Sequence, residues 1–233
     1  MRRNWFRFLL VSSVTLVLAV TGLGVSVSAA GPAARLAEAA DVLKEMGEKS
    51  DVTAMAGLVK EARGIVIFPS VIKAGLMLGG RYGEGLLLRH GPGAGEWHGP
   101  YFVQVKGVSY GPQIGVQSQA LVLVITNERG MKGFTGDKVT LGGELAVAAG
   151  PVGRQAGAAT DADLKAAIYS YSLSKGIFAG ASLEGAVIQS DEAANKEYWG
   201  AALTADQMLA KPAHDSRTAS LLKELEKLLK QAK

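Results

Sequence analysis

Ser109 stands in the pattern G-V-S-Y-G at residues 107–111, which matches the nucleophile elbow G-x-S-x-G of serine hydrolases. In those enzymes a sharp turn between a strand and a helix lifts the serine above the sheet. Here Pro112 and a strand-like stretch follow, and His214 is the one histidine further along the sequence. Because bare motifs of this kind often match by chance, a serine hydrolase using Ser109 stays an alternative and no catalytic residue is predicted.

The pattern S-x-x-K occurs twice, at Ser70 with Lys73 and at Ser172 with Lys175. Penicillin-binding enzymes use this pattern together with S-D-N and K-T-G elements. Neither of those elements occurs in this sequence, and about one S-x-x-K match is expected by chance at this content of serine and lysine. The sequence therefore predicts a protein that is not an enzyme.

His90 and His98 flank a loop of glycine and proline at residues 91–95, so the two could meet across a hairpin. A metal site needs further ligands to complete the coordination of the ion. No pair of carboxylates stands at a suitable spacing, and the sequence contains no cysteine. We therefore expect two surface histidines, with no metal and no cofactor.

Arg81 lies among the glycines of residues 79–85. Glycines let a ligand approach the backbone amides, and amides that converge with a guanidinium can hold an anion. The alternative is a tight β-hairpin that carries an exposed arginine, alone or paired with a carboxylate such as that of Glu84. The composition of this stretch leaves both interpretations open.

The N-terminus has the order of a secretory signal peptide. Arginines at positions 2, 3 and 7 precede an apolar stretch from about residue 8 to residue 27, and three small residues follow at positions 28–30. This order predicts a signal peptide at residues 1–30, cleavage after Ala30 and a mature protein that begins at Gly31 in the periplasm or outside the cell. An uncleaved membrane anchor is the alternative, because the apolar stretch is nearly long enough to span a bilayer.

The formal charge of +4 comes largely from this leader. Without its three arginines the chain has 22 basic and 21 acidic residues. A nearly neutral protein gives no case for binding nucleic acid. The remaining length is ample for one domain with its own core.

The spacing of apolar residues changes along the chain from helical to strand-like and back. Helices are predicted at residues 35–46 and from 51 to about 63, and Asp191 and Thr204 are candidate N-caps for two more. Strands are predicted at residues 65–68, 76–78, 86–88, 101–105, 114–116, 121–125, 139–149, 169–173 and 177–187. Because the gaps between strands are too short for helical crossovers, we expect an α+β fold with a mainly antiparallel, glycine-rich sheet or barrel-like core and helices at both ends.

The C-terminal residues 201–233 are predicted to be a linker and an amphipathic helix beyond a domain at residues 31–200. Leucines at positions 221, 222, 225, 228 and 229 form one stripe of the helix, after a polar stretch at residues 211–217. We expect this helix to be dispensable for folding and free to dock on a partner protein of the cell envelope.

Five blocks of the sequence are familiar. They are IVIFPSVIKAG (65–75), GGRYGEG (79–85), QIGVQSQALVLV (113–124), LGGELAVAAGPVGR (141–154) and YSYSLSKGIFAGASLEG (169–185). In this order they strongly resemble the signature of the SYLF domain, and the chain is similar to its exported bacterial members. Residues 142–144 read Gly-Gly-Glu, where the family more often has Gly-Ala-Asp, and the C-terminal leucine helix lies outside the resemblance.

The resemblance implies lipid binding, since eukaryotic relatives bind phosphoinositides and yeast relatives also bind actin. We do not carry actin binding over to an exported protein. The expected function is a non-catalytic envelope module that binds the headgroup of an anionic lipid. The candidate headgroup contacts are Lys73, Arg81, Arg63, Arg154 and Lys175. A structural or assembly protein of the envelope is the second possibility.

Overall fold

One long hairpin forms the centre of the fold. The computed structural model describes residues 30–93, 95–136, 138–152 and 166–232, with the backbone path alone at residues 76–78 and 109–114. In it strand β1 (Gly64–His90) pairs antiparallel with strand β2 (Trp97–Ile125) over nearly their whole length. Every other strand described attaches to this hairpin.

The other edge of β2 carries the rest of the sheet. One part of β2 pairs with β7 (Val187–Ser190), which pairs with β3 (Lys138–Thr140). Another part pairs with β5 (Ile168–Ser174), whose neighbours are β4 (Val147–Ala149) and β6 (Ile177–Gly180). Among the described strands the β4–β5 pair is parallel and the other pairs are antiparallel. This curled half-barrel with helices at both ends confirms the predicted α+β fold.

Side chains cap the start of three of the six helices described. They are α1 (Pro32–Gly47), α2 (Thr53–Glu61), α3 (Glu128–Phe134), α4 (Glu192–Trp199), α5 (Ala205–Leu209) and α6 (Ala219–Leu229). Asp191 accepts a hydrogen bond from the Ala194 amide at the start of α4, and Thr204 forms a capping box with Gln207 at α5, so both predicted caps are confirmed.

Strand β1 is continuous where the sequence predicts three short strands. Proline has no amide hydrogen to give to a sheet, which is why Pro69 was expected to end the first strand. The strand instead passes through Pro69, with a shift of register between Phe68 and Val71, as a bulge permits. Residues 79–85 lie inside β1, opposite residues 103–109. The alternative interpretation of this stretch as a tight hairpin turn is therefore wrong.

Glycines allow β1 to fold back on itself. A Cβ atom at Gly85 would collide with the carbonyl oxygen of Ile67, and one at Gly79 would collide with that of Ala74. Only a residue without a side chain permits such close approach of two backbone segments. The halves of β1 before and after residues 76–78 therefore lie against each other, and this bend brings position 73 near position 81.

Alternate residues of the central strands enter two hydrophobic cores on opposite faces of the sheet. Ile65 and Ile67 pack with α1, α2 and α6, whereas Val66 and Phe68 pack with α3. This is the period of two that a strand imposes on its side chains. Residues 121–125 are fully buried, which confirms the prediction of a strand covered on both faces.

Helix α6 is part of the first core, contrary to the expectation of a free helix. Leu221, Leu225 and Leu228 are at most 1% exposed and join the core cluster that contains α1. The predicted linker before α6 also packs on the domain. Arg217 lies 3.6 Å from the ring centre of Tyr198 in α4 and donates a hydrogen bond to the backbone oxygen of that residue. The leucine face is occupied within the molecule, so it is not available for docking a partner.

The predicted signal peptide lies almost entirely outside the described residues, which begin at Ala30. Within the described residues no helix combines the length and the apolar character that crossing a membrane requires.

Candidate functional site

Lys73 and Arg81 meet at the bend of β1. Lys73 stands opposite Gln117 of β2, and Arg81 stands opposite Gly107. The two side chains are close enough that the positive charge of Arg81 contributes to lowering the pKa of Lys73, as like charges do at short range. We call these two side chains the cation pair.

The guanidinium of Arg81 is buried without a full set of acceptors. Its Nε and Nη1 atoms are shielded from water, and no atom of the described residues accepts a hydrogen bond from either of them. Buried polar groups almost always have a partner, and an unsatisfied buried donor costs about 1–3 kcal/mol, or more when it is charged. A bound anion would supply the missing acceptors.

Lys73 is half-buried and has a neutral partner. Its Nζ atom donates to Oε1 of Gln119 at 3.3 Å. Burial, followed by the charge of Arg81, lowers the pKa of Lys73, and burial lowers the pKa of Arg81. Among the ion pairs of the described residues, none includes either side chain. The cation pair therefore has no internal counter-charge in the part of the chain described.

Glu84, the nearest carboxylate to Arg81 in sequence, is engaged elsewhere. Its Oε2 atom lies 2.7 Å from Nη2 of Arg35, and its Oε1 atom accepts a hydrogen bond from the Tyr82 hydroxyl at 2.7 Å. Positions three apart on a strand point to opposite faces of the sheet. A pairing of Arg81 with Glu84, which the sequence left open, is therefore excluded.

A buried ion network fixes the strand that carries Arg81. Arg35 of α1 is 3% exposed and contacts Glu84 of β1 as well as Asp191, from which its Nη1 atom is 2.6 Å away. Its Nε atom donates to the backbone oxygen of Ala30 at 2.8 Å. The network joins α1, β1 and the start of α4, and it holds β1 in place three residues from Arg81.

Of the other candidate residues, the structure describes Arg63 and Lys175. Arg63 precedes β1, about 30 Å along the strand from Lys73, and its Nε atom is 3.6 Å from Glu128. Lys175 is exposed in the turn between β5 and β6, with a positive φ of 49°. Arg154 falls outside the described residues. The structure thus brings Lys73 and Arg81 together, and it places Arg63 in a surface ion pair elsewhere.

The catalytic motifs do not acquire the geometry that their chemistry needs. Ser109 lies inside β2 rather than at a strand-to-helix turn, which an elbow requires. The hydroxyl of Ser70 is 2.9 Å from that of Ser118, whereas Lys73 is bonded to Gln119. These contacts leave the serine hydrolase without structural support.

The histidines make ordinary contacts with neighbouring groups. His90 stacks on Trp97 with ring centres 4.8 Å apart, and His98 is hydrogen-bonded to Glu96 at 2.9 Å. Within the described part of the chain no three residues of a metal-binding type come together.

A concave region lies beside α4 and α5. This cleft of about 580 Å³ is lined by residues that include Ser190, Glu192 and Asn195. The buried amide of Asn195 is already satisfied, because it accepts from the Phe102 amide at 2.8 Å and donates to the Phe102 oxygen at 2.9 Å. The cleft therefore lacks the unpartnered polar group that distinguishes the cation pair.

Sequence reasoning missed Arg35, Glu84 and Asp191 as members of one network. Arg35 occupies a helix position beside Leu36, where a charged residue is normally taken for a solvent-facing one. Asp191 was recognised as a cap but not as an ion-pair partner. No local pattern joins residues that are 156 positions apart.

The half-barrel of mostly antiparallel strands, with both terminal helices packed on one face, defines an α+β domain of the SYLF type. A comparison with known families agrees, because residues 106–232 match the Ysc84 family, described as "Las17-binding protein actin regulator". The match covers more than half of the chain and includes α6, so the chain belongs to this family, which is one of actin-regulating proteins rather than of enzymes.

Similar proteins occur in animals and fungi. "SH3 domain-containing YSC84-like protein 1" of Xenopus laevis is 36% identical over 144 residues, which is 61% of this chain and 42% of that protein. The protein of the same name from Homo sapiens is 33% identical over 168 residues, or 70% and 48%. "LAS seventeen-binding protein 3" of Saccharomyces cerevisiae is 35% identical over 156 residues, or 66% and 34%. The chain therefore matches between a third and a half of these relatives' length.

Proposed function

We propose that this protein is a non-catalytic module of the cell envelope that binds the headgroup of an anionic lipid through Lys73 and Arg81. The observation that carries the proposal is the Arg81 guanidinium, with two buried nitrogen atoms that lack an acceptor. A guanidinium can donate two parallel hydrogen bonds to the oxygen atoms of one phosphate group. An ammonium interacts with the same group as a point charge.

The surroundings of the cation pair favour an anion over other ligands. Two like charges at a half-buried site repel each other, and both pKa values are lowered. A bound anion relieves the repulsion and satisfies the unpaired donors at the same time. No general base contacts either cation among the described residues, so the site favours binding over proton transfer.

Arg81→Ala and Lys73→Ala are each expected to weaken binding to vesicles that contain phosphatidylglycerol, by about 1–2 kcal/mol or roughly tenfold. Arg81→Lys should also weaken binding, because an ammonium cannot donate two parallel hydrogen bonds to one phosphate group. Binding of the wild type falls as salt rises. Vesicle flotation over a range of lipid concentrations measures these changes.

The control for these variants is Arg89→Ala, which removes an exposed arginine that faces Glu128 at 3.7 Å and should bind vesicles as the wild type does. Thermal melts separate ligand binding from a structural role. Because the buried donors of Arg81 have no internal partner to lose, Arg81→Met should keep or raise the melting temperature. Unchanged flotation of the alanine variants, or loss of stability together with binding, would count against the site.

We further propose that the protein is exported and that residues 1–30 act as a cleaved signal peptide. N-terminal sequencing of the protein from its own cells should find the mature chain starting at Gly31. A cut one residue earlier, after Ala29, would retain the Ala30 oxygen that accepts from Arg35. An intact Met1 on protein in the membrane fraction would contradict cleavage.

A second candidate function is binding of a protein partner. The name of the Saccharomyces cerevisiae relative describes it as binding LAS seventeen, which favours a protein partner for this chain. If Arg81→Ala and the wild type capture the same partner equally well while neither binds vesicles, the protein-binding function replaces the lipid-binding one.

A further inference from the structure

Two exposed runs of residues lie side by side at the edge of the half-barrel. One is residues 115–118 of β2, which are exposed at every position. The other is the turn between β5 and β6, where residues 175–177 are all exposed. The hydroxyl of Ser174 lies 3.5 Å from the backbone oxygen of Ser118, which joins the two runs. We call residues 115–118 and 175–177 the rim.

The rim protrudes from the body of the protein. Side chains of a strand alternate between the two faces of its sheet, so a layer that covered either face would bury every second residue. Consecutive exposure at residues 115–118 means that neither face is covered there. The same strand is completely buried a few residues later, at 121–125.

The rim carries large apolar side chains in full contact with water. Val116 is 72% exposed and Ile177 is 70% exposed. The remaining large hydrophobic residue that is exposed in the described chain is Val108, also 70% exposed, opposite Gly80 and therefore beside the strand position of Arg81. Single exposed apolar residues are ordinary, but here all three belong to the bent hairpin or the turn beside it.

Three basic residues belong to the rim or lie beside it. Lys175 belongs to the rim, and Lys73 stands opposite Gln117 within it. Lys49, just after the end of α1, also lies beside the turn. Its Nζ atom is 3.9 Å from the position that a Cβ atom would occupy at Gly176. Glu45 is the acidic residue recorded near them, 3.7 Å from Lys49. Exposed apolar side chains with lysines nearby are complementary to the surface of an anionic bilayer, where phosphates lie above the hydrocarbon.

We propose that the rim inserts into the headgroup region of an anionic bilayer, with Val116 and Ile177 reaching the boundary of the hydrocarbon. This rests on the proposed lipid function and extends it, since the ligand becomes a lipid held in a membrane and the protein approaches it edge-on. Lys175 and Lys49 contact neighbouring phosphates while the cation pair holds one headgroup. Residues 115–118 belong to β2 and Ile177 begins β6, so both apolar side chains are presented by strands.

The absence of cysteine gives a direct test. Val116→Cys and Ile177→Cys each provide a single site for an environment-sensitive fluorophore, and Ser220→Cys on the exposed side of α6 is the matched control. Phosphatidylcholine vesicles with added phosphatidylglycerol should shift the emission of the labels at 116 and 177 to the blue. Nitroxide groups placed high on the acyl chains should quench both labels and leave the label at 220 unchanged.

The double variant Val116→Ser with Ile177→Ser removes the apolar tips from exposed positions. It should melt as the wild type does and bind the vesicles at least about tenfold more weakly. If labelled protein floats with the vesicles while the labels at 116 and 177 stay in water, insertion is wrong and headgroup binding stands. If the wild type does not float at all, both proposals fail. Blue-shifted labels without vesicles, together with a dimer in sedimentation, would assign the rim to a second copy of the chain and overturn insertion.

Discussion

Leu225→Ala is expected to lower the free energy of unfolding by about 2–5 kcal/mol, the range for a leucine removed from a well-packed core. Leu225 is 0% exposed and lies in the same core cluster as Leu36 and Leu43 of α1. The loss comprises the transfer energy of the removed methyl groups and the cavity that they leave between α6 and α1. Urea unfolding followed by circular dichroism measures the change.

Lys223→Ala is the control on the same helix, because Lys223 is exposed and alanine and lysine both favour helices. Its free energy of unfolding should stay within about 0.5 kcal/mol of the wild type. Deletion of residues 218–233 should be more damaging than Leu225→Ala, since it uncovers one side of α1. A truncated protein with the melting temperature of the wild type would restore the sequence-based expectation of a dispensable helix.

Arg35→Ala is the second change with a large expected effect. It leaves the carboxylates of Glu84 and Asp191 buried without their shared cation, and breaking a buried ion pair from one side costs about 3–5 kcal/mol. Arg63→Ala is the matched control, because its contact with Glu128 at 3.6 Å joins two side chains that are more than half exposed. A surface pair of this kind contributes about 1 kcal/mol or less. Urea unfolding at neutral pH compares the two variants.

The effect of Arg35→Ala should also depend on pH. Burial raises the pKa of Asp191, but hydrogen bonds from Arg35, the Ala194 amide and Gln104 outweigh it, so the pKa lies below its ordinary value. In the wild type this carboxylate therefore stabilises the fold above its ordinary pKa, and the contribution is lost as the pH falls through the lowered one. Without Arg35 the buried Asp191 carboxylate loses one of the hydrogen bonds that lower its pKa and protonates more easily, so the variant should recover part of its deficit near pH 4, at about the ordinary carboxyl pKa. A deficit that is the same at both pH values would show that Arg35 acts through packing alone.

The parts of this fold that sequence could predict are those encoded within a few residues. Spacing of apolar residues gave α1, and the oxygen atoms of Asp191 and Thr204 marked two helix starts. Complete burial of residues 121–125 followed from an uninterrupted apolar run. Each of these features depends on local backbone geometry, which is determined by the types of neighbouring residues.

The features that sequence could not predict depend on contacts between distant residues. Pro69 ends a regular strand but not a bulged one, and the register with β2 shifts between Phe68 and Val71 and then continues. The leucine stripe of α6 showed that the helix has an apolar face, yet the partner for that face is α1, at the far end of the chain. The stretch at residues 79–85 looks like a turn because glycines serve both in turns and where backbones approach closely.

The candidate site was also predictable only in part, because its residues are marked locally but their meeting depends on the fold. Arg81 drew attention because glycines surround it, and Lys73 because it lies in the adjacent block of the family signature. Their proximity required the fold-back of β1, which no spacing rule contains. Arg63 carries the same charge but lies in a surface ion pair with Glu128. Positive charge in the sequence carries no information on where a side chain meets its neighbours.

The contact between α1 and α6 also constrains when the protein can finish folding. The hairpin of β1 and β2 closes over a loop of a few residues and can form early during synthesis, since local contacts form fastest. The core between α1 and α6 joins residues near positions 36 and 225 and stays open until the last helix has left the ribosome. A nascent chain whose core is still open has not reached its stable native fold, and a polypeptide in that state is easier to unfold and thread through a narrow translocation channel than the finished domain.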